Sequence, residues 1–357
     1  MRFEVLAVDR TSELRAGVLH TPHGAVETPA FMPVGTRATV KTMTPRDVAD
    51  SGARVVLANT YHLLLQPGVD VVQRQGGLHS FMRWDGPILT DSGGFQIFSL
   101  GKLREVSDEG VRFLSHLDAT PMLLTPECVI EAQEQLGADL IIPLDECVAA
   151  DASRSETELA LERTHAWWER STAAHSRSDQ ALFALVQGGM FGDLRSQAAR
   201  AAAADAPPGF AIGGLSVGEP KSVTAELLGV VVEQLPRERP RYLMGVGHPA
   251  DVVAYARMGV DLFDCVLPTR LARNGTVWTD GAGARLDLKR RASLELSGPI
   301  CAGCTCMACS GWSVGALSAL FQARDPLAFR LASSHNIRVL VSLLDDVRQQ
   351  VLYTPSC

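Results

Sequence analysis

The sequence contains 357 residues, of which 46% are hydrophobic and 20% charged, a balance that excludes a mostly disordered protein. Its formal net charge of −7 argues against a nucleic-acid-binding protein whose whole surface is basic. No apolar run is long enough to span a membrane, and the first ten residues, MRFEVLAVDR, lack the apolar core of a signal peptide. We therefore expect a cytoplasmic protein with one large α/β domain and a small appendage, or with two ordinary domains.

After an N-terminal segment with a turn signal at residues 21–24, short apolar runs alternate with longer helix-like stretches. These eight candidate strands are residues 30–36, 55–60, 88–94, 140–146, 182–189, 210–214, 242–247 and 262–266. They are continuously apolar, which is typical of parallel strands buried on both faces. Eight βα units in about 240 residues predict an α/β fold, a closed (β/α)₈ TIM barrel. An open doubly wound sheet is the alternative, although the glycine-rich phosphate loop expected after its first strand is not evident.

Helix signals separate the runs. Thr44 and Thr125 each stand directly before a proline, which predicts an N-cap followed by proline at the first helical position. The stretch 155–176 is rich in helix formers and predicts one long helix.

In a barrel the chemistry lies at the C-terminal ends of the strands. The predicted strand ends carry Asn59, Asp91, Asp145, Gln187, Gly213, Gly214, Met244 and Asp264. After Asp91 come Ser92, Gly93 and Gly94, where the glycines allow a ligand to approach the backbone. A carboxylate, a carboxamide and backbone amides together can bind the edge of a planar heterocycle. Each polar tip alone could be a strand-end cap, but their recurrence favours a site.

Asp91 and Asp264 are expected to face each other across the mouth of the barrel. Paired carboxylates suit chemistry at an anomeric carbon, where one attacks C1 to form a covalent glycosyl intermediate and the other moves protons. Arg270 and Arg273 follow Asp264 and could hold phosphates. Between residues 268 and 292 there are six basic and two acidic side chains. Charge alone does not decide whether these residues form a basic patch that attracts a polyanion or an ordinary solvated basic face.

Four of the eight cysteines fall between Cys301 and Cys309. Cys304, Cys306 and Cys309, with His335 26 residues further on, form a set that predicts closed tetrahedral zinc with a structural role. Cys301 could compete for the metal, and reduced free cysteines are the alternative. We accordingly divide the chain into a catalytic barrel, residues 1–298, and a zinc-binding subdomain with C-terminal helices, residues 299–357.

Six motifs together resemble the bacterial tRNA-guanine transglycosylases, in order and in spacing, and the likeness runs from about Phe3 to about Leu344. The motifs are residues 90–96 (TDSGGFQ), 145–147 (DEC), 186–188 (VQG), 213–219 (GGLSVGE), 242–247 (YLMGVG) and 263–270 (FDCVLPTR). The resemblance implies a pentosyltransferase that exchanges guanine at wobble position 34 of GUN-anticodon tRNAs for the 7-deazaguanine base preQ1, in queuosine biosynthesis. It also implies one structural zinc ion per subunit and a homodimer.

The resemblance further implies roles for individual residues. The nucleophile falls on Asp264 and the general acid/base on Asp91. Base binding falls on Ser92, Gly93, Gly94, Asp145, Gln187, Gly214 and Leu215, with Phe95 and Met244 on the two ring faces and Tyr242 and Asn59 in support. Contacts with tRNA fall on Gly245, Val246, Gly247, His248, Thr269, Arg270 and Arg273.

Three alternatives stay open at this point. The first is a queuine-salvaging variant of the same enzyme, although Glu146, Cys147 and Val217 match the bacterial branch, which takes preQ1. A glycoside hydrolase can share the barrel and the carboxylate pair, but it would line its cleft with exposed aromatics, and aromatics are only 6% of this chain. A non-catalytic tRNA-binding barrel subunit is the third, and the presence of both Asp91 and Asp264 speaks against it.

Overall fold

A computed structural model describes residues 1–98 and 104–353, except for the side chains of residues 97 and 98. The strands of the described residues are β1 (Arg2–Val8), β2 (Arg15–Thr21), β3 (Gly24–Thr28), β4 (Ala30–Pro33), β5 (Val56–Asn59), β6 (Ile88–Asp91), β7 (Arg104–Val106), β8 (Val111–Leu114), β9 (Pro121–Leu124), β10 (Leu140–Ile141), β11 (Ala181–Leu182), β12 (Ala184–Val186), β13 (Phe210–Ile212), β14 (Arg241–Leu243), β15 (Leu262–Cys265), β16 (Thr276–Trp278) and β17 (Arg285–Asp287). The helices are α1 (Pro45–Asp50), α2 (Thr60–Leu65), α3 (Val69–Arg74), α4 (Gly77–Met82), α5 (Gly94–Phe98), α6 (Pro126–Leu136), α7 (Arg154–Ala174), α8 (Gly192–Ala204), α9 (Lys221–Val232), α10 (Pro249–Ala256), α11 (Leu267–Arg273), α12 (Met307–Gly311), α13 (Val314–Gln322) and α14 (Pro326–Tyr353).

Eight parallel strands close into a barrel, as the sequence predicts. The strand order is β5–β6–β10–β11 on one side and β12–β13–β14–β15–β4 on the other. These two groups of strands join at two places. At the first, β11 and β12 form one strand interrupted at Phe183. At the second, β4 meets β5 through parallel pairing of Val34 with Leu57, where the Gly35 N–H donates to the Leu57 carbonyl at 2.6 Å. The (β/α)₈ barrel is confirmed, and the open doubly wound sheet is wrong because the barrel strands leave no free edge.

Both faces of the barrel strands are buried, which explains their continuous apolar sequences. Alternate residues divide between two cores: Leu57, Leu89 and Leu262 lie in the barrel interior, while Val56, Ile88 and Phe263 face the surrounding helices. Continuing this alternation to the strand ends directs a set of polar and sulfur-containing side chains inward at the mouth of the barrel. They are Asn59, Asp91, Gln187, Met244 and Asp264.

The predicted helix starts are also present. Thr44 and Thr125 are N-caps whose side chains accept hydrogen bonds from the third helical residue, and each is followed by proline. The long helix predicted at residues 155–176 is α7, which is capped by Ser153.

Three small antiparallel units are additions that the strand pattern did not predict. Sheet β1–β2–β3 covers the N-terminal end of the barrel, where Leu19 and Val26 join the interior core. Sheet β7–β8–β9 follows β6 and α5 in the chain, and hairpin β16–β17 follows α11.

The C-terminal helix α14 contributes to two cores. Near its start, Leu331 and Ala332 pack in the cluster that contains Cys306. Further along, Leu340 and Leu344 pack in the core between the barrel strands and the surrounding helices. The helix contacts β1, β2 and β4 as well as α10 and α11. The division at residues 298 and 299 therefore stays a prediction, with α14 supplying side chains to both units.

Among the described residues, no helix combines the length and apolar character that crossing a membrane requires.

Candidate active site and metal centre

Asp91 ends β6 inside the mouth of the barrel and is nearly fully buried. Its Oδ2 atom accepts hydrogen bonds from Asn59 Nδ2 and, at 3.0 Å, from Gln96 Nε2, while the Thr60 N–H donates to Oδ1 at 3.1 Å. Burial, with a smaller contribution from the charge of nearby Asp264, raises the pKa of Asp91 from 3.8 to about 7, although the three hydrogen bonds oppose the shift. Near neutral pH this carboxyl group can therefore both donate and accept a proton.

The raised pKa of Asp91 predicts a stability that depends on pH. Because the pKa is higher in the native than in the unfolded state, the stabilisation is complete below about pH 4 and is lost as the pH rises through about 7. Alanine at this position removes the titrating group. The melting temperature of Asp91→Ala relative to wild type should therefore increase between about pH 5.5 and about pH 8.5. Asp85→Ala, at an exposed position, is the matched control and should show a constant difference. A constant difference for Asp91→Ala would contradict the shift.

Asp264 lies near the end of β15, and its two carboxylate oxygens have different surroundings. Oδ1 accepts hydrogen bonds from the Tyr242 hydroxyl at 2.6 Å and from the Gly245 N–H at 2.8 Å. The described residues place no donor on Oδ2. Burial raises the pKa of Asp264, although both hydrogen bonds oppose the shift. One oxygen is thus fixed and the other is left for a ligand.

A third buried carboxylate, Asp145, lies beside this pair of aspartates. Gln187 Nε2 donates to its Oδ2 at 2.7 Å, and the Ser92 hydroxyl lies 3.4 Å from Oδ1. Burial raises the pKa of Asp145 to about 6. Gly94 is required here because a Cβ atom at that position would stand 2.5 Å from Asp145 Oδ1. The Oε1 atom of Gln187 is buried and has no partner among the described residues, so this pocket offers an acceptor to a ligand.

The loop after β13 completes the pocket. Gly214 has φ +65°, and a Cβ atom there would lie 2.3 Å from Gln187 Oε1, so only glycine fits. Leu215 is buried, while Met244 at the end of β14 is half-buried and Phe95 on α5 is exposed. Hydrogen bonds and close approaches thus bring Ser92, Gly94, Asp145, Gln187 and Gly214 together. That Phe95 and Met244 lie against the same group stays a prediction.

The residues predicted to contact tRNA are placed less uniformly. Gly245 and Arg270 are exposed, and His248 and Arg273 are half-buried. The other three are buried: Val246 packs in the barrel core, Gly247 packs against Cys265, and the Thr269 hydroxyl donates to the Val266 carbonyl at 3.3 Å. The buried residues Val246, Gly247 and Thr269 therefore support the exposed positions from inside the protein. The Gly245 N–H also donates to Asp264.

Four residues form a candidate metal centre. The Sγ atoms of Cys304, Cys306 and Cys309 lie 3.8, 3.5 and 3.3 Å from His335 Nδ1. A tetrahedral zinc ion bonded to sulfur at about 2.3 Å and to nitrogen at about 2.1 Å separates those ligand atoms by about 3.6 Å. The set can therefore hold a metal ion with no open coordination position. Cys301 lies outside this group, with its Sγ 3.6 Å from the Ala302 carbonyl.

Residues around the metal centre orient it and connect it to the active site. His335 Nε2 lies 2.7 Å from the Trp278 carbonyl, which favours the tautomer that leaves Nδ1 free for a metal. The adjacent Asn336 is fully buried, and its Nδ2 donates to the carbonyls of Pro268 and Thr276 at 3.0 and 3.1 Å. Consecutive residues of α14 thus fix both the metal centre and the start of α11, which follows Asp264.

A second group of potential ligands, His23, His79 and Asp139, lies at the opposite end of the barrel. The two imidazole rings stack with centroids 3.5 Å apart and planes 15° apart. Parallel rings cannot both direct their in-plane lone pairs at one ion. Each ring nitrogen instead contacts a different oxygen of Asp139, at 2.8 and 3.2 Å, so the group is a hydrogen-bonded cluster.

Two contributors to the site were missed from the sequence. Gln96 holds Asp91, and Arg195 on α8 donates to the carbonyls of Gly213 and Gly214. A signal for Arg195 was present: it lies on the buried stripe of α8, which runs through residues 194, 195, 198, 199 and 202. An arginine on the apolar stripe of a helix indicates a buried polar partner.

The pocket geometry agrees with what the sequence is similar to. The sequence model of one protein family, described as Queuine tRNA-ribosyltransferase, matches residues 9–353. A protein of that name from Pelotomaculum thermopropionicum is 49% identical over 98% of this chain and 94% of its own length. Its namesakes from Symbiobacterium thermophilum and Desulforamulus reducens are 51% and 47% identical, again over 98% of this chain and over 87% and 94% of their own lengths. These matches favour the transglycosylase interpretation over a glycoside hydrolase. The chain belongs to the queuine tRNA-ribosyltransferase family.

Proposed function

We propose that this protein is a tRNA-guanine transglycosylase that replaces guanine at position 34 of GUN-anticodon tRNAs with the 7-deazaguanine base preQ1. The observation that carries the proposal is the asymmetric carboxylate of Asp264. Two donors hold its Oδ1, the described residues place no donor on its Oδ2, and Asp91 lies near enough for the two charges to interact. Family membership supports the same activity.

The first half of the reaction removes guanine. The target nucleotide is extruded from the anticodon stack so that its ribose reaches the barrel mouth. Oδ2 of Asp264 attacks C1′ as the C1′–N9 bond breaks, and the bonding electron pair leaves with guanine. The protonated form of Asp91, present near neutral pH because burial raises its pKa, supplies a proton to the departing base. An ester between Asp264 and the ribose remains.

The second half installs the new base. Asp91, now a carboxylate, accepts the N9 proton of the incoming base, whose nitrogen attacks C1′. The ester C–O bond breaks, its electron pair returns to Asp264, and two inversions give overall retention. Asp145 and Gln187 hold the ring edge of the base, because their buried acceptors match the N–H donors of a guanine-like heterocycle. Phe95 and Met244 cover its two faces.

The metal centre has a separate role in this proposal. Three thiolates and one imidazole select zinc, and a closed site gives it a structural function. The ion would bind Cys304, Cys306, Cys309 and His335. It would thereby link the segment that carries the three cysteines to α14. We propose that Arg270, Arg273 and Gly245 contact the anticodon arm, because these positions lie beside Asp264 and are exposed or half-buried. A homodimer, which rests on the family resemblance, and a cytoplasmic location, which rests on the sequence, are further parts of this proposal.

The direct test is base exchange by the isolated protein. Purified protein is incubated with an unmodified GUN-anticodon tRNA and guanine, preQ1 or queuine, and nucleosides from the digested tRNA are measured by mass spectrometry. We expect preQ1 and guanine to be incorporated at position 34 without any added subunit. Incorporation of queuine in preference to preQ1 would instead identify the salvage variant. Absence of exchange with all three bases would favour a non-catalytic subunit and contradict the proposal. The same tRNA with another base at position 34 is the matched control.

A further inference from the structure

Arg195 is a fully buried arginine that touches no group of the proposed chemistry directly. It lies on α8 with 0% of its side chain exposed. Its guanidinium donates three hydrogen bonds, all to backbone carbonyls: Nε to Gly189 at 2.7 Å, Nη1 to Gly213 at 3.1 Å and Nη2 to Gly214 at 2.8 Å. The first carbonyl belongs to the loop after β12 and the other two to the loop after β13, so one side chain joins the loops that form adjacent walls of the pocket.

The guanidinium is charged and has no ion-pair partner among the described residues. Burial lowers the pKa of Arg195 only to about 10, so it stays protonated at neutral pH. Removing an unpaired charge from water is costly, and an apolar side chain could fill the same space at lower cost. The arrangement therefore points to a role for the three directed donors of the guanidinium that packing alone does not explain.

These donors determine which backbone groups of the loop remain available. The carbonyls of Gly213 and Gly214 are occupied by Arg195, and the Gly213 N–H donates to the Val186 carbonyl. Glu219 accepts from the N–H groups of residues 216 and 217. Among the described residues, no hydrogen bond is made by the N–H of Gly214, which lies beside Gln187. Because Arg195 holds the carbonyl of the same peptide group, this N–H is a donor with a fixed direction.

We propose that Arg195 is a positioning residue that sets base specificity, by fixing the Gly213–Gly214 peptide so that the Gly214 N–H is presented as a donor to the bound base. The proposal rests on the proposed function. A base edge that carries a carbonyl oxygen, as guanine does, fits this donor. Without the guanidinium, the peptide groups around Gly214 are free to rotate because glycine accepts most backbone conformations. A rotated peptide places an acceptor opposite the carbonyl of the base, which rejects it.

The test compares Arg195→Met and Arg195→Lys with Arg200→Met, which removes an exposed arginine from the same helix. For Arg195→Met, the KM for guanine should rise about tenfold or more, equivalent to about 1.4 kcal/mol of lost binding per factor of ten. The KM for tRNA and the yield of the denaturant-stable protein–tRNA adduct formed without free base should stay near wild type. Arg195→Lys keeps the charge but loses the planar set of donors, so its guanine KM should be intermediate. Arg200→Met should behave as wild type throughout.

The outcomes separate this inference from the proposed function. An unchanged guanine KM in folded Arg195→Met would overturn the inference while leaving the exchange activity in place. Loss of the adduct together with a large fall in melting temperature in both variants would mean that Arg195 serves only the fold, and this would also overturn it. Absence of exchange by the wild-type protein would instead contradict the proposed function, and isothermal titration of guanine into wild type and Arg195→Met would then test the positioning role directly. Equal guanine affinity in that titration would overturn the inference on its own.

Discussion

Asp264→Asn should abolish base exchange while leaving the protein folded and able to bind tRNA. Asparagine keeps the shape of the side chain and an oxygen that can accept from Tyr242 and Gly245, so the local structure should persist. It has no carboxylate to attack C1′, and loss of a nucleophile lowers turnover by roughly 10⁴-fold or more. The measurements are incorporation of radiolabelled guanine into tRNA and the appearance of a denaturant-stable protein–tRNA adduct. Both should be lost.

Two further variants calibrate the Asp264 result. Asp85→Asn changes an exposed aspartate in the same way and should exchange normally. Tyr242→Phe removes one of the two hydrogen bonds to Oδ1, and because the Gly245 N–H remains, turnover should fall only about tenfold. Near-normal exchange by Asp264→Asn, or an adduct that persists in it, would show that another residue is the nucleophile.

Cys306→Ala should release the metal ion and unfold the segment around it. Cys306 is 2% exposed and lies in a small core with Val277, Leu317 and Leu331, so the metal and this core depend on each other. Structural zinc contributes about 10–16 kcal/mol of binding free energy in isolated zinc-finger peptides, and a segment of this size has no comparable core to replace it. Zinc content should fall from one ion per chain to near zero. Hydrogen–deuterium exchange should accelerate in residues 299–325 while the barrel strands stay protected.

Loss of the metal ion should also weaken binding of tRNA at the proposed contact residues of α11. Asn336 holds the Pro268 carbonyl at the start of α11, so disorder at the adjacent His335 should raise the KM for tRNA more than the KM for the base. Cys301→Ala is the matched control, since Cys301 lies outside the four-residue group and its loss should leave the zinc content unchanged. A zinc-free Cys306→Ala protein with wild-type exchange protection and tRNA affinity would contradict a structural role for the ion.

The barrel and the polar ends of its strands could be predicted because parallel strands have simple sequence rules. Continuous apolar runs give the strands, and the two-residue period then directs Asn59, Asp91, Gln187 and Asp264 into the mouth of the barrel. The candidate metal ligands were equally accessible, because Cys304, Cys306 and Cys309 are close in sequence. Only His335 required a long-range assumption.

Other features depend on contacts that the local sequence does not reveal. Val246, Gly247 and Thr269 stand in motifs beside exposed residues, yet their side chains or backbone are packed inward, and sequence distance alone cannot separate the two cases. The place of Arg195 on the buried stripe of α8 indicates a polar partner, but its actual partners, the carbonyls of Gly213 and Gly214, lie 18 and 19 residues away and leave no mark in the sequence. The contacts of these residues are therefore visible only in three dimensions.

The two cores that share α14 have a consequence for the order of assembly during synthesis. The barrel closes where β15 pairs with β4, and α14 packs over this junction against β1, β2 and β4. The same helix carries His335, so the candidate metal ligands Cys304, Cys306 and Cys309 leave the ribosome before their fourth partner does. A nascent chain that has completed every barrel strand still exposes the apolar face that Leu340 and Leu344 will cover. If the site binds its ion, metal capture and protection of the junction both wait for α14, and shortage of the ion would leave a barrel with all its strands prone to aggregation.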